Sequence, residues 1–402
     1  MLHIAIDARL PEGLAGGVSQ VVIGLAQGYA EHPHVKRTWV VYPGHERWLG
    51  PWLPENDDVV VHSSLVERVG MRVARRAPTL VSRLRPHVER VTRASDDRAL
   101  AHWDAFLADL GADVAHLPFQ DGFVTSLPSV YQPHDLQHHY LPELFTQAQL
   151  RHREVDWRAR AERASQISVG TRAVKADVES FWDIAGDKIH VVPLAPVALP
   201  SSSAPLPRDR DPLVLYPAAF WPHKDHVTLV RAVGRLRQGG SRVRLVLPGA
   251  HIGEYPAIRK AVEDAGLAPS ETIPGYVTAQ ELGALYERAW VVAVPSLFES
   301  ASFPVWEGFR QGKPAVVART TSLPDQVGAG GLVVEQRDVE GFARAIETLV
   351  SDDELAERMG EAGRHQVQAL SWRRTSLATA ALCRLAAGDL PRDDEAEALG
   401  GP

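Results

Sequence analysis

The sequence predicts an α/β protein of two domains, each with a doubly wound parallel sheet. Short apolar runs alternate with helical patterns over the N-terminal half, and the same alternation recurs over the C-terminal half. Strands separated by helices indicate βαβ units and hence parallel pairing. Between the two series, residues 193–212 are rich in proline and serine, which is typical of a linker. We therefore predict an N-terminal domain over 1–195 and a C-terminal domain over 196–370.

Seven strands are expected in the first domain and six in the second. The first series is expected at 3–7, 38–42, 58–62, 113–116, 129–133, 166–169 and 188–193. The second series is expected at 212–216, 242–247, 272–274, 290–294, 314–318 and 331–334. A helix over 371–388 is expected to pack back on the N-terminal domain. The tail over 389–402 is acidic and lacks a hydrophobic pattern, which predicts disorder.

Composition and charge exclude several classes of protein. Of the 402 residues, 45% are hydrophobic and 23% are charged, as in globular proteins with sizeable cores. The net charge of −7 argues against bulk nucleic-acid binding, and the single cysteine, Cys383, excludes an intrachain disulfide and a cysteine-based zinc site. Asp7 and Arg9 follow the first apolar run, as expected for a strand rather than a signal peptide. Because no apolar run is long enough to span a membrane, we expect a cytoplasmic enzyme.

Residues 66–98 interleave many arginines with valine, leucine and methionine. The simplest interpretation is a solvated pair of helices with salt bridges. The functional alternatives are a loop on the acceptor side and a patch that makes peripheral contact with an anionic membrane. Pro78 and Pro86 divide the segment into short pieces, which weakens the membrane alternative.

Two glutamates eight positions apart, Glu299 and Glu307, provide the strongest functional signal. Glu299 lies in the loop after the expected strand at 290–294, and Glu307 lies in the first turns of a helix that begins near Pro304. Both fall at the carboxyl end of a parallel strand, where open α/β sheets bind ligands. A loop carboxylate followed by a carboxylate that the helix dipole favours explains the pair equally well without a ligand.

Gly16 and Gly17 lie between the first strand and a helix expected to begin near Val18. Paired glycines let the backbone approach a ligand, and free N–H groups at a helix start favour anions, but a tight turn needs the same glycines. No G-x-G-x-x-G pattern follows the strand, which disfavours a nicotinamide dehydrogenase, and no G-x-x-x-x-G-K-[ST] phosphate loop occurs in the chain.

His134 and Asp135 follow the expected strand at 129–133, where such a pair can orient a substrate hydroxyl. His138 and His139 come next and suggest a metal site. The other histidines are scattered, no H-E-x-x-H pattern occurs, and the sequence offers no third ligand. We therefore expect no metal.

Lys224 ends the loop after the first strand of the second domain, where its charge can meet a phosphate; a capping or solvated lysine is the alternative. Gly275 offers a turn that a flat base can approach closely. Lys313 follows the Glu299–Glu307 segment and precedes Pro314.

Together these segments resemble the retaining glycosyltransferases of family 4, which have the GT-B architecture of two Rossmann-like domains facing a cleft. The most specific part is PSLFESASFPVWEGFRQGKP, residues 295–314, in which Glu299 and Glu307 fit the family's E-x7-E pattern. Supporting matches are the paired glycines, the HDL at 134–136, the loop that ends at Lys224 and the GYV at 275–277. The resemblance covers nearly the whole chain.

The resemblance implies a nucleoside diphosphate sugar as donor, a hydroxyl acceptor on a small metabolite, glycan or lipid-linked sugar, and no metal cofactor. It implies that Lys224 holds the diphosphate, that Glu307 receives the ribose hydroxyls, and that Glu299 contacts the transferred sugar. It places Gly17 against the diphosphate and His134 near the sugar and acceptor. The implied catalytic residues are Glu299, Lys224 and His134. The implied donor-binding residues are Gly16, Gly17, Lys224, Gly275, Tyr276, Val277, Glu299, Ser300, Ala301, Ser302, Phe303 and Glu307.

Three departures from the family pattern concern the donor. The family usually has E-G-F-G-L-P where this chain has ESASFP at 299–304, so side chains replace both glycines and narrow the sugar pocket or change its polarity. An arginine usually stands five residues before the lysine, where this chain has Ala219. Trp221, His223 or another arginine then supplies that contact, or it is missing. The usual P-N-G is PLA at 193–195.

Two alternatives to glycosyl transfer stay open. One is another GT-B enzyme, such as a pseudo-glycosyltransferase or a sugar-nucleotide epimerase. The other is a catalytically silent protein that binds a nucleotide sugar. Detection of a glycosylated product distinguishes transfer from both.

Overall fold

A computed structural model gives the architecture as two compact units. Unit 1 comprises Met1–Leu194 and Trp372–Pro402, and unit 2 comprises Ala195–Ser371. Each unit has one parallel sheet with helices, so the predicted α/β class with two doubly wound domains is confirmed. The structure describes residues 1–10, 16–45, 47–63, 96–200 and 211–400.

The sheet of unit 1 has seven parallel strands in the order β3-β2-β1-β4-β5-β6-β7. The strands β1 to β7 are Leu2–Asp7, Val35–Val41, Asp58–Val61, Val114–Leu117, Ser129–Tyr131, Gln166–Val169 and Ile189–Val191. The strand order reverses between β1 and β4. The carboxyl ends of these two strands therefore flank the crevice at which doubly wound sheets bind ligands.

Within the described residues of unit 1, six α-helices precede the linker. They are α1 to α6, at Gly17–Tyr29, Asp96–Leu110, Gln137–Tyr140, Gln147–His152, Arg158–Arg163 and Arg172–Trp182. A π-helical turn, Arg153–Trp157, joins α4 to α5. Large aromatic side chains fill the core beside the sheet, among them Trp103, Trp157 and Trp182, which are at most 4% exposed. This burial of apolar surface is what holds the helices on the sheet.

The sheet of unit 2 has five parallel strands in the order β12-β11-β10-β8-β9. The strands β8 to β12 are Leu213–Leu215, Arg244–Val246, Val291–Val294, Ala315–Ala318 and Gly331–Val334. The helices α7 to α14 are His226–Gln238, Tyr255–Asp264, Pro269–Thr272, Ala279–Arg288, Phe303–Arg310, Leu323–Val327, Val339–Ser351 and Asp353–Gln368. Here the order reverses between β8 and β10, which places the expected ligand crevice at their carboxyl ends.

The strand predicted at 272–274 is wrong. The segment does lie beside β9, because Leu247 N donates to Thr272 O at 2.7 Å and Gly249 N donates to Gly275 O at 2.9 Å. A parallel ladder also needs the N–H two residues after the Thr272 acceptor to donate back to β9, and the residue there, Pro274, has no N–H. The pairing therefore runs in one direction only, and the segment is not a strand.

Two C-terminal helices complete unit 1, α15 at Trp372–Ala387 and α16 at Asp393–Gly400. Helix α15 packs closely on α1 because Gly24 and Gly28 leave room for Trp372. A Cβ atom at Gly24 would lie 1.9 Å from Cε2 of Trp372, and one at Gly28 would lie 2.1 Å from the Trp372 carbonyl oxygen. Any side chain at either glycine would push the two helices apart.

The prediction of disorder for the tail over 389–402 is wrong for α16. Glu395 in this helix is 1% exposed, and its Oε2 accepts hydrogen bonds from Arg384 Nε at 2.7 Å and Arg392 N at 3.0 Å. The acidic first turn also suits the positive end of the helix dipole. The prediction failed because it rested on acidic composition, which does not show that the Glu395 carboxylate is buried against Arg384 of α15.

Most of the arginine-rich segment at 66–98 lies outside the described residues; its last three residues begin α2. The salt-bridged, acceptor-side and membrane interpretations of that segment stay predictions. Among the helices in the described ranges, none combines the length and apolar character needed to cross a bilayer.

Candidate active site

Lys224 of unit 2 lies where the loop after β8 turns into α7. Pro222 starts a 3₁₀ turn, Pro222–Lys224, and Asp225 then adopts a left-handed conformation with φ of 46°. This turn aims the lysine toward the loop after β10, where Nζ donates to Glu299 Oε1 at 2.7 Å. The pair spans the carboxyl ends of β8 and β10, the two strands between which the sheet order reverses.

Glu299 is fixed by a chain of buried hydroxyl groups. Ser296 Oγ donates to Glu299 Oε1 at 2.8 Å, and the Tyr216 hydroxyl lies 2.7 Å from the same serine oxygen. Burial, and then the charge of Glu299, raise the pKa of Tyr216 well above its usual value, so the phenol stays protonated. Among the described residues no hydrogen bond reaches Oε2 of Glu299, which leaves that oxygen to accept from a ligand.

The backbone of Glu299 is held by the loop after β11. Thr321 Oγ1 accepts from Glu299 N at 3.1 Å and also donates to the Glu299 carbonyl, which takes a second hydrogen bond from Ser322 Oγ at 2.9 Å. Thr321 has φ of 36°, which is unfavourable for a β-branched residue. Strain of this kind persists only where the surroundings enforce it, and it clusters at functional sites.

The segment that replaces the family's glycines leads into α11, with Ser302 at the N-cap position. Ser302 is 1% exposed, and its backbone exchanges two hydrogen bonds with the side-chain amide of Gln326, at 2.9 and 2.7 Å. Ser300, Ala301 and Phe303 are half-buried. The amide of Gln326 thus fixes the backbone of this segment, and the side chains of Ser300 and Ala301 remain partly accessible.

Glu307 is held separately from the Lys224–Glu299 pair. It is 5% exposed, and its Oε2 accepts a hydrogen bond from the Tyr286 hydroxyl at 2.6 Å. Burial and the Glu307 charge together raise the pKa of Tyr286 well above its usual value. Burial lowers the pKa of Arg310, one turn further along α11, and the charge of Glu307 opposes that shift.

Gly275, Tyr276 and Val277 form an exposed turn beside an aromatic stack. Gly275 has φ of 89°, a conformation that glycine adopts without strain, and Tyr276 is 86% exposed. A Cβ atom at Gly275 would lie 3.6 Å from Cε1 of His251, whose ring stacks on Tyr255 at 4.2 Å. Sequence reasoning missed His251 and Tyr255, although the glycines of PGAHIG just after β9 were a usable signal.

Lys313 is a structural residue of unit 2. Its side chain is buried, and Nζ donates to the Glu287 carbonyl at 2.7 Å, at the C-terminal end of α10. A cation at this position complements the negative end of the helix dipole.

In unit 1, Gly16 caps α1 and Gly17 is its first residue. Gly16 has φ of 50° and ψ of −126°, a combination that side chains with a Cβ rarely adopt. Both glycines are exposed. A tight turn, the alternative explanation for the paired glycines, is therefore present at Gly16. The first residue of the helix is exposed as well.

Asp7 and Arg9, just before that loop, form a buried pair. Arg9 Nε donates to Asp7 Oδ1 at 2.9 Å, and Nη2 donates to Oδ2 at 2.8 Å. Phe123 N, beyond β4, also donates to Oδ2 at 2.9 Å. Asp7 is 0% exposed and Arg9 is 4% exposed. In the sequence, these residues indicate only the end of a strand.

His134 follows β5, and its Nε2 lies 2.9 Å from the Pro118 carbonyl oxygen beyond β4. Burial lowers the pKa of His134, and the Pro118 carbonyl opposes that shift. Asp135 accepts from Gln137 N at 3.0 Å and pairs with Arg153 at 3.5 Å. The two residues thus face different partners.

A third side chain with a possible ligand atom, which the sequence did not indicate, lies beside His138 and His139. Glu154, in the π-helical turn, brings Oε2 to 3.4 Å from His138 Nε2 and 3.0 Å from His139 Nε2. The ligand atoms of these three residues lie within 4.8 Å of one another, the spacing of a possible metal set. Sequence spacing could not show this, because the fold brings the glutamate back to the histidines from a different helix.

Comparisons with known proteins agree with the fold and point to one enzyme class. Residues 201–366 match the family model described as "Glycosyl transferases group 1". That stretch contains Lys224, Gly275, Glu299 and Glu307.

Two relatives illustrate the sequence similarity. The chain is 30% identical over 233 residues to a D-inositol 3-phosphate glycosyltransferase of Corynebacterium glutamicum (strain R), covering 54% of this chain and 56% of the relative. It is 33% identical over 177 residues to a GDP-mannose-dependent alpha-(1-6)-phosphatidylinositol monomannoside mannosyltransferase of Mycobacterium tuberculosis (strain H37Rv), covering 42% and 45%. The chain thus spans about half the length of these relatives.

Two solved structures share the fold over nearly the whole chain. A sucrose-phosphate synthase from Thermosynechococcus elongatus has a TM-score of 0.68 at 20% identity, covering 96% of this chain and 99% of that one. Anabaena Alr3699/HepE in complex with UDP and glucose has a TM-score of 0.66 at 17% identity, covering 94% and 98%. These likenesses show the GT-B fold that the resemblance implied.

Proposed function

We propose that this protein is a retaining glycosyltransferase that moves a sugar from a nucleoside diphosphate sugar to an acceptor hydroxyl. The observation that carries the proposal is the contact between Lys224 and Glu299 at the carboxyl ends of β8 and β10. This is the point at which open α/β sheets bind ligands, and it lies inside the stretch that matches the glycosyltransferase model. We place the enzyme in family 4 and in the cytoplasm as part of the same proposal.

In this proposal Lys224 binds the donor diphosphate. Its side chain is 21% exposed, and among the described residues Glu299 is its one partner, so two of its three N–H donors remain for phosphate oxygens. Bond cleavage at the anomeric carbon leaves negative charge on the departing phosphate. A fixed cation at that position stabilises the transition state more than the ground state.

Glu299 has a different role, the binding of the transferred sugar. Its Oε1 is occupied by Lys224 and Ser296, whereas Oε2 can accept from sugar hydroxyls. Because Lys224 and Glu299 touch, phosphate and sugar would be bound by adjacent groups whose separation is fixed. Such alignment lowers the entropic cost of reaching the transition state.

The remaining donor contacts follow the family resemblance. Glu307, with a buried carboxylate oriented by Tyr286, would receive the ribose hydroxyls. The exposed Gly275–Tyr276–Val277 turn would contact the base. For unit 1, the resemblance assigns Gly16 and Gly17 to the diphosphate and His134 to the sugar and acceptor.

Retention of configuration is proposed through attack on the same face that the phosphate leaves. A double displacement would need a nucleophile on the far face of the sugar, and the side chains assigned here to the donor do not include one. Front-face attack needs alignment, charge stabilisation and a phosphate oxygen that takes the acceptor's proton. An NMR coupling constant at the new anomeric centre, compared with that of the donor, tests retention, and an inverted product would refute it.

We propose that the donor site works without a metal, as in the family. Among the described residues, the group with metal-ligand spacing is His138, His139 and Glu154, which belongs to unit 1. No such group of described residues is found around Lys224. The lysine charge can serve the electrostatic role that a metal has in other transferases. The acceptor is proposed only as a hydroxyl compound, with peripheral membrane contact through 66–98 left as a prediction.

The experiment that tests the function is a thermal-shift panel of nucleotides and nucleotide sugars, followed by a transfer assay with the best donor. A ligand at one hundred times its dissociation constant stabilises the fold by about 2.7 kcal/mol. Lys224→Ala should lose the shift caused by diphosphates. Lys260→Ala is the matched control, since that lysine is exposed and its ion pair among the described residues is with Asp264. If no nucleoside diphosphate stabilises the wild-type protein, the proposal fails.

A further inference from the structure

His138 and His139 of unit 1 face the carboxylate of Glu154, and neither histidine forms a hydrogen bond of good geometry with it. His138 is 5% exposed, and its Nε2 lies 3.4 Å from Glu154 Oε2, long for a hydrogen bond. His139 Nε2 is only 3.0 Å from the same oxygen, yet it makes no hydrogen bond to any of the described residues. The atoms are close, but an N–H of His139 would not point at the oxygen.

Such an arrangement is expected where lone pairs converge on a common point. A zinc ion takes histidine nitrogen and carboxylate oxygen at about 2.0–2.2 Å in tetrahedral geometry, which separates neighbouring ligand atoms by about 3.3 Å. The two contacts to Glu154 Oε2, at 3.4 and 3.0 Å, lie on either side of that value. All three ligand atoms lie within 4.8 Å of one another.

Neighbouring side chains hold one of the three residues, His139, and the residue after it in place. The His139 ring stacks on Phe181 of α6 at 4.1 Å with an interplanar angle of 5°, and the Tyr140 hydroxyl donates to Asp177 of the same helix at 2.5 Å. These contacts fix the short helix α3 on α6. Glu154 lies in a π-helical turn, and such turns occur frequently at functional sites.

A cation, Arg153, lies beside this group and forms an ion pair with Asp135, although its Nη1 makes no hydrogen bond to the described residues. Its Nη1 is 3.5 Å from Asp135 Oδ1, and its guanidinium lies over the rings of Phe145 and Trp157 at 4.2 and 4.3 Å. Asp135 thus offsets much of the repulsion that Arg153 would exert on a bound ion. The Glu154 side chain is 38% exposed and that of His139 is 23% exposed, which gives an ion and its water a route in.

We propose that His138, His139 and Glu154 form a divalent-metal site that takes Zn²⁺, with water in the remaining position. Two imidazole nitrogens and one carboxylate suit zinc and similar transition metals, whereas Mg²⁺ and Ca²⁺ prefer sets of oxygen ligands. The ion would join α3 to the turn between α4 and α5 and stabilise unit 1. All three residues belong to unit 1, and the metal site does not rest on the proposed transfer.

The test is a zinc titration of the full-length, untagged protein after dialysis against a chelator and then metal-free buffer. Competition with a chromophoric chelator should show one equivalent of Zn²⁺ bound, and Co²⁺ should give the visible absorption of a four-coordinate site. Zn²⁺ should also raise the melting temperature. An excess of Mg²⁺ or Ca²⁺ should displace neither ion.

Variants locate the site. His139→Gln and Glu154→Gln should each weaken Zn²⁺ binding at least about tenfold and remove the increase in melting temperature. His365→Gln changes an exposed histidine of α14 and should bind normally. His62→Gln should also bind normally; it controls for the His62–His102 pair, whose Nε2 atoms lie 2.9 Å apart. Absence of binding in the wild type, or unchanged binding in both His139→Gln and Glu154→Gln, would overturn the proposal.

Discussion

Two ion pairs occupy the same topological position in the two units, and they differ in how completely they are satisfied. Asp7 ends β1 and Arg9 follows it, and a hydrogen bond from Phe123 N joins the pair to the loop after β4. Lys224 follows β8 and reaches Glu299 beyond β10. Each pair therefore spans the crevice at which the strand order of its sheet reverses.

The pair in unit 1 is closed. The two oxygens of Asp7 accept four hydrogen bonds, from Arg9 Nε, Arg9 Nη2, Arg9 N and Phe123 N. The guanidinium of Arg9 also lies over the Trp103 ring at 4.2 Å. Because every carboxylate position is taken and both residues are buried, this pair fixes the end of β1 and offers nothing to a ligand.

The pair in unit 2 is open. Lys224 and Glu299 share one hydrogen bond. Counting partners among the described residues, the lysine has N–H donors left and the glutamate has an acceptor oxygen left for a ligand. The difference teaches that position at a switch point does not by itself make a binding residue. What distinguishes the candidate site is unsatisfied capacity at groups held rigidly by their neighbours.

Breaking the closed pair should have the largest effect, on stability. Arg9→Met leaves the Asp7 carboxylate buried without its cation, which costs about 3–5 kcal/mol. Urea unfolding followed by tryptophan fluorescence measures it. Arg235→Met is the matched control, because the Arg235–Glu340 pair is 60% and 56% exposed and such pairs contribute about 0–1 kcal/mol. Equal midpoints for the two variants would show that Asp7–Arg9 is not structural.

Breaking the open pair should affect catalysis instead. Lys224→Ala should lower kcat/KM for the donor by about 2–4 kcal/mol of transition-state stabilisation, the range for one preorganised electrostatic group. Steady-state kinetics with a folded-fraction check by circular dichroism measures the effect. The Lys260→Ala control should retain wild-type rates. Unchanged kinetics in Lys224→Ala would remove this lysine from the site.

The two glutamates should separate binding from turnover, with a smaller effect. Glu299→Gln should lower kcat more than donor affinity, because sugar contacts change as the anomeric carbon gains charge. Glu307→Gln should mainly weaken donor binding, since ribose contacts are equal in ground and transition states. Each loss should be about 1.5–3 kcal/mol, as for hydrogen bonds to charged groups. Calorimetry with steady-state rates checks this division, and the opposite pattern contradicts it.

A chelator should have no effect on transfer. Lys224 provides the charge at the proposed donor site, so removal of divalent ions leaves that charge in place. The transfer rate is measured before and after EDTA, alongside the melting temperature of the zinc-loaded protein. Recovery of a lost rate on addition of Mg²⁺ or Mn²⁺ would contradict the metal-independent mechanism, whereas a fall in melting temperature alone would concern only the His138–His139–Glu154 site.

Local patterns predicted the strands of both sheets well, because buried parallel strands read as continuous apolar runs. They failed at 272–274, where the missing N–H of Pro274 prevents two-way pairing. They also failed at Glu395, whose burial depends on Arg384 of the preceding helix. In both cases the outcome depends on which group the residue hydrogen-bonds with. The residues next to it in the sequence do not reveal that partner.

The candidate site shows the same limit. Glu299 and Lys224 were predicted from their positions after strands, but their direct contact joins residues that are 75 positions apart. The roles of Tyr216 and Ser296 in orienting Glu299 could not be read from the sequence, since a tyrosine in an apolar run looks like core. Glu154 was missed for the same reason.

The packing of Trp372 against Gly24 and Gly28 has a consequence for how the chain is made. Unit 2 is one continuous stretch, whereas unit 1 is assembled from both ends of the sequence. During synthesis, helix α1 must wait for α15, since the surface at its two glycines is covered only when Trp372 arrives. Domains generally fold as units during translation. The unit translated second is therefore the one that can finish folding first, and the surface of α1 at Gly24 and Gly28 stays uncovered until Trp372 is made.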